Sequence, residues 1–344
     1  MLFYFILFVF VVALLFSGDD TKYYKYNLAF LIIIFFSIFR FDVGHDYPSY
    51  YNLLWPEYDT EAIRIMEPLS ACLVKLAHYS GGPLFVFIIF GLLTYFFIYR
   101  TIERVSYRNW AFFTYLIFSW ISSLGELRQA LAVSIVFYSY SFIKEKRVVI
   151  YILFCILASL FHISALISIL FYPLYYYGSK YMLLTITVFA FLIYNLVSAR
   201  FIEYGFYASH FENTLGSTSG DKMKFFYVFF YLLMLVLYEY RKKYIIPEVG
   251  RVLSIIYLSL LFYFLIDAPL FAYRMNYYFI IFYSFVVPQI IVKCPKGIQY
   301  SIFFLMLLFF FLGLYISSLN PSRSPFIPYN MIFFMDDYPV FRGL

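Results

Sequence analysis

Four short constellations hold the residues of this 344-residue chain whose types and spacing suit chemistry. The first is Arg40-Phe41-Asp42-Val43-Gly44-His45-Asp46-Tyr47. A guanidinium beside two carboxylates suits a phosphate or a set of sugar hydroxyls. Gly44 permits the tight turn that folds Asp46 and Tyr47 back toward the mouth at the outer end of the second span. The second joins Glu67-Pro68 to Gly125-Glu126-Leu127-Arg128-Gln129. Gly125 breaks the chain, so Arg128 and Gln129 sit in the first turn of a helix, where free N–H groups and the dipole already favour an anion. A plain ion pair of Arg128 with Glu126 or Glu67 is the competing reading. The third is Phe161-His162-Ile163-Ser164, whose histidine is either a hydrogen-bonded structural group or a general base. The fourth is Tyr273-Arg274-Met275-Asn276-Tyr277-Tyr278, where 3–4 spacing puts Arg274, Tyr277, Tyr278 and Ile281 on one helical face. That face suits a sugar stacked beside a phosphate, or an interfacial aromatic belt anchored by the arginine.

The elements that position these groups are read from the composition. Hydrophobic residues make up 64% of the chain and charged ones 13%, with 47 Phe and 39 Tyr. The mean hydropathy is +0.83. A soluble domain is nearer half apolar and a quarter charged, so lipid is the solvent for most of this surface. Apolar runs near 1–16, 27–39, 83–99, 110–124, 127–143, 181–197, 225–240, 252–267, 271–292 and 298–318 are long enough to cross about 30 Å of hydrocarbon as helices. The expected fold is an all-α polytopic integral membrane protein of about 10–12 transmembrane helices, organised as one domain over 1–344. Its runs are continuously apolar rather than alternating, which excludes a strand barrel. The segment 62–79 is expected to lie at the interface. Cys72, Cys155 and Cys294 have no metal or disulfide spacing and are expected to be apolar packers.

Charge sets the orientation. Lys22/Lys25, Arg100/Arg104/Arg108, Lys144/Lys146/Arg147 and Arg241/Lys242/Lys243 all read as cytoplasmic. Simple crossing parity fails once, at 149–177. The conflict disappears if that stretch is a re-entrant pair of short helices broken at Ser159-Leu160-Phe161-His162-Ile163-Ser164. The connections 40–82 and 198–224 and the tail 319–344, with Asp336-Asp337, then lie outside. So do all four constellations. Ionisable groups near membrane depth cost roughly 2.5–3.5 kcal/mol each to insert, so each needs a partner or a task.

The ordered set Arg40-x-Asp42-x-Gly44-x-Asp46-Tyr47-x-x-Tyr50, Glu67-Pro68, Leu127-Arg128-Gln129-x-Leu131-Ala132, Phe161-His162-x-Ser164-Ala165 and Arg274-x-x-x-Tyr278 resembles the EpsG family of Wzy-type polysaccharide polymerases. The resemblance runs from about residue 30 to 330. It implies transfer of a growing glycan from undecaprenyl diphosphate to the next lipid-linked oligosaccharide, for O-antigen, capsule or exopolysaccharide. The site would face outward from a bacterial inner membrane, on a scaffold like that of GT-C membrane glycosyltransferases. His162, Asp42, Asp46 and Glu67 are the candidate catalytic groups. Arg40, Tyr47, Arg128, Gln129, Arg274 and Tyr278 are the candidate contacts to diphosphate and sugar. No cofactor, metal or nucleic acid is expected; a chain-length regulator and a flippase are expected partners. A lipid-linked sugar transporter, an O-antigen ligase and a membrane acyltransferase are the alternatives.

Overall fold

The computed structural model describes residues 1–17, 23–54, 60–178, 219–265, 269–318 and 326–334. The expected span 181–197, the loop 198–224 up to residue 218, and Asp336-Asp337 of the tail lie outside these residues. The chain opens with α1 (Leu2–Phe16) and α2 (Tyr23–Ile38). Three short helices follow, α3 (Tyr47–Leu54), α4 (Thr60–Arg64) and α5 (Pro68–Gly81), and then the long α6 (Pro83–Ile102). Next come α7 (Arg108–Tyr115), a π-helical turn (Leu116–Trp120), α8 (Ile121–Gly125), α9 (Leu127–Lys144) and α10 (Val148–Ser159). A 3-10 stretch (Ile163–Leu170) leads into α11 (Phe171–Tyr177). The remaining helices are α12 (Ser219–Arg241), α13 (Pro247–Leu265), α14 (Pro269–Ile280), α15 (Tyr283–Ile291) and α16 (Lys296–Ser318).

The helix α9 is nearly all buried, from Leu127 to Ile143, which makes it the centre of the bundle. Its neighbours are α6 and α10. Among the described residues two helices, Pro83–Ile102 and Lys296–Ile316, are long and apolar enough to cross a bilayer, and shorter apolar helices cover Leu2–Phe16, Tyr24–Ile38, Val148–Ser159 and Ile163–Tyr177. On α16 the large side chains Phe304, Leu308, Leu312 and Tyr315 form an exposed stripe at 3–4 spacing. Leu2, Phe5, Ile6, Val9 and Phe10 are exposed on α1. Stripes of this size fit a membrane protein. In α5, Pro68 takes the first helical position, where its missing N–H is harmless. Ser70, Val74 and Ala77 face inward while Leu76 and Tyr79 face out.

Four features depart from the expectations. The run expected over 271–292 is two helices, α14 and α15, meeting at Ile281-Phe282. Pro288 lies inside α15, where it has no N–H for the Ser284 carbonyl and its ring crowds that carbonyl. The preceding turns tighten in response, with Phe282 N donating to Phe279 O at 3.1 Å and Ser284 N to Ile281 O at 3.0 Å. The fold also holds one small antiparallel sheet, so it is not wholly α: β1 (Arg40–Phe41) pairs with β2 (Asn330–Met331), Arg40 opposite Met331. The π-turn at Leu116–Trp120 interrupts what the sequence reads as one helix. Such a turn leaves a carbonyl unpaired, and the Tyr277 hydroxyl donates to Ser119 O at 3.1 Å. Last, Cys155 and Cys294 are buried as expected, but Cys72 is exposed on α5.

The stretch 149–177 breaks at Leu160-Phe161-His162, inside the polar interruption. Its arms lie side by side. The Tyr151 hydroxyl donates to Ser168 O, the Ser168 hydroxyl meets Cys155 Sγ at 3.3 Å, and the rings of Tyr151 and Tyr172 are 6.3 Å apart. The loose carbonyls at the break are taken up by α5: Leu69 N donates to Leu160 O at 3.0 Å and Ser70 Oγ to Phe161 O at 2.8 Å.

Candidate functional site

The site begins with the turn after α2. Asp42 and Gly44 both have positive φ, 51° and 112°. A Cβ on Gly44 would stand 2.0 Å from Leu124 O, so only glycine lets the turn lie against the end of α8. Arg40 fastens the turn from below. Its Nε donates to Val43 O at 3.0 Å, its Nη2 to Leu124 O at 3.3 Å and its Nη1 to Ser37 O. The guanidinium also lies over the Phe87 ring, 5.3 Å from its centroid. Tyr47 stacks on the same ring at 4.0 Å, and Asp42 is buried beside it. Under Arg40, the Ser37 hydroxyl donates to Ile33 O and accepts from Tyr95 and Trp120 at 2.8 and 3.0 Å. Arg40, Asp42 and Tyr47 are therefore packed into the turn itself, with Arg40 also acting electrostatically on Asp46.

Those others converge at the start of α9. The turn delivers Asp46, whose N–H donates to Gly125 O at 3.0 Å and whose Oδ2 accepts from Leu127 N at 3.1 Å. Asp46 thus caps a helix 81 residues away in sequence. At the next residue, Arg128 Nη1 meets Glu67 Oε2 at 2.5 Å. The other oxygen of Glu67 accepts from Ile163 N at 3.2 Å, so one carboxylate ties α9 to the break after α10. At that break His162 Nδ1 is 2.5 Å from Ser164 Oγ, which in turn is 3.0 Å from the Tyr278 hydroxyl. Gln129 Nε2 donates to the carbonyl of Arg274 and binds α14 to α9. The Arg274 guanidinium acts electrostatically on His45, Asp46, Glu126 and His162, and among the described residues it makes no ion pair.

The four residues expected on one face of α14 split between two neighbours. Tyr277 turns to the π-turn and Tyr278 to Ser164, while Ile281 lies past the end of the helix. The reason is the break before α15. Several groups at the centre were not among the candidates. Ser164 links His162 to Tyr278. Glu126 is buried, and its Oε2 has no hydrogen-bond partner among the described residues. Phe326 stands against Gly125 and packs edge-on to His45 at 5.3 Å. An acid at the start of a helix is a signal for Glu126; nothing local marks Phe326.

Electrostatically the site is a balance of two guanidiniums against carboxylates in partial burial. Burial pushes the Asp46 carboxyl up, against the pull of Arg274 and of the Leu127 N–H. Burial pushes His162 down to about 4, outweighing Glu67, with Arg128 and Arg274 acting in the same direction as burial. His162 is therefore neutral at ordinary pH, the state a base requires. The sequence profile of the EpsG family matches residues 23–331, from the start of α2 through β2. The chain belongs to the EpsG family. EpsG proteins are a family of Wzy-type polymerases, and the match spans every residue of the centre. Membership and the apolar helices together make this a membrane protein of polysaccharide biosynthesis. No curated protein and no solved structure matches the chain.

Proposed function

We propose that this EpsG protein transfers a growing glycan from a polyprenyl diphosphate, undecaprenyl diphosphate in a bacterium, to the next lipid-linked repeat unit on the outer face of the cytoplasmic membrane. One observation carries the reading. Arg274, without an ion pair among the described residues, and Arg128 meet at a helix N-terminus beside a neutral histidine. A diphosphate leaving group develops charge as it departs, and preorganised cations at a helix start stabilise it. His162 is the base. In the tautomer that donates Nδ1–H to Ser164 Oγ, its Nε2 carries the lone pair that accepts a proton. The acceptor sugar hydroxyl attacks the anomeric carbon, the bond from that carbon to the phosphate oxygen breaks, and the electron pair leaves with the diphosphate. The hydroxyl proton passes to His162.

The remaining candidates support this centre. Glu67 and Asp46 position Arg128 and the start of α9, and Tyr278 orients Ser164. Arg40, Asp42, Gly44 and Tyr47 hold the turn that carries Asp46. We read the α10–α11 pair as re-entrant, because a break that exposes carbonyls at membrane depth needs a cavity or protein around it, and here α5 supplies their donors. Multiple crossings and a GT-C-like scaffold belong to the same proposal.

Incubation of the purified protein with synthetic polyprenyl diphosphate-linked repeat units is the test. Wild-type protein should give a ladder of products. Arg274→Ala and Arg128→Ala should each lower kcat by about 10²–10³, the usual cost of losing one such donor. A ladder of normal length and rate from either variant would overturn its role.

A further inference from the structure

Glu126 is the one acid of this centre that the proposed chemistry leaves without a task. It occupies the N-cap position of α9, yet its carboxyl makes no capping bond. Asp46 reaches in from the preceding turn and takes the Leu127 N–H instead. The Glu126 side chain is only 7% exposed. Its Oε2 is buried without a hydrogen-bond partner among the described residues. The charged and titratable groups around it are Asp46 and His45 on the turn and Arg274 and Tyr278 on α14, while Arg128, two residues along α9, pairs with Glu67. From α8 it meets a backbone group, its N–H donating to Ser122 O at 3.0 Å.

We propose that Glu126 is a positioning residue which carries a proton while the site takes its anionic substrate, and whose ionisation closes the site to that anion. The inference rests on the function proposed above and extends it to the charge state that binding requires. With Glu126 neutral, Arg128 and Arg274 offset Asp46 and Glu67, and the roughly half charge of the helix start tips the balance positive. With Glu126 ionised, three carboxylates face two guanidiniums, and a diphosphate meets net negative charge. The neutral acid also has an O–H to donate, where a carboxylate has only acceptors. Two carboxyls a few atoms apart, one held by a backbone N–H and one bare, are driven to different protonation states by their surroundings. Burial and then Asp46 push Glu126 up to about 8, against the pull of Arg274. The acid is therefore neutral below that pH and charged above it.

The test measures KM for the lipid-linked donor and kcat from about pH 6 to about pH 10, for wild type and Glu126→Gln. Glutamine has the shape of the neutral acid and cannot ionise. In wild type, KM should rise above about pH 8, approaching tenfold per unit, with kcat moving less. In Glu126→Gln the alkaline rise in KM should be absent. Parallel KM profiles for the two proteins would overturn the proposal. Infrared spectra of folded wild-type protein supply a readout free of turnover. A protonated-carboxyl band should be present at neutral pH, fade at alkaline pH and be missing in Glu126→Gln. Its absence from wild type at neutral pH would also overturn the proposal. Binding of inorganic pyrophosphate separates this idea from the polymerase reading. If wild type makes no polymer, yet loses pyrophosphate at alkaline pH more steeply than Glu126→Gln does, the glycan chemistry fails and the role of Glu126 stands. The titration of the probe itself is common to both proteins. Equal loss in both sinks the Glu126 proposal.

Discussion

Arg40 shows how a residue type can mislead about its task. A buried guanidinium needs its donors satisfied, and here they go to the carbonyls of Val43, Ser37 and Leu124. Removing the side chain orphans three buried acceptors at roughly 1–3 kcal/mol apiece. Arg40→Ala should therefore fail to accumulate as folded protein, and Arg40→Lys should melt well below wild type, because an ammonium cannot reproduce the planar fork. Thermal unfolding in detergent reads this directly. A normal melting temperature with lost activity would mark Arg40 as a substrate ligand instead. Gly44→Ala belongs to the same test, since its Cβ would fall 2.0 Å from Leu124 O. The sequence showed that Arg40, Asp42, Gly44 and Asp46 form one unit. It did not show what Arg40 binds, because the answer depends on Leu124, 84 residues away.

Among the elements, the broken pair α10–α11 and the helix α5 form one device. Breaking a helix leaves carbonyls that must be satisfied elsewhere, and Ser70 covers that of Phe161 at 2.8 Å. Ser70→Ala should cost about 1–3 kcal/mol and loosen the residue that follows, His162. The expected signature is a fall in kcat larger than the change in KM, together with a lower melting temperature. A fall in KM-linked binding alone would place Ser70 elsewhere in the mechanism. The break itself was legible, because Ser159, His162 and Ser164 interrupt an otherwise apolar run. So was the start of α9 at Gly125. The break between α14 and α15 was not, because residues 279–287 are apolar or aromatic apart from one serine and only Pro288 marks the strain. The π-turn left no trace either; Leu-Ile-Phe-Ser-Trp reads as ordinary helix.

At the scale of the whole molecule, the orientation of the site can be read with a thiol the protein already has. Cys72 is exposed on α5 while Cys155 and Cys294 are buried, and α5 holds the break beside His162. A membrane-impermeant maleimide applied to intact cells should label the wild-type protein and leave Cys72→Ser unlabelled. Labelling of Cys72 only after the cells are opened would put the site on the cytoplasmic face and end the outward-facing proposal. Charge patterning gave the sidedness expectation, and apolar run length gave most of the helices. Neither could give the pairing of β1 with β2, which joins opposite ends of the chain.

That pairing also orders events in time. Tyr329 donates to Phe36 O across 293 residues, Tyr4 to Phe326 O across 322, and Phe326 then rests on Gly125 and His45. Contacts so distant in sequence carry the largest loop-closure cost and form late. A nascent chain emerging from the ribosome would display His45 and Gly125 long before Phe326 arrives to pack on them. The strand β2 and Phe326 are thus the last of the described contacts to settle on the turn and on the end of α8.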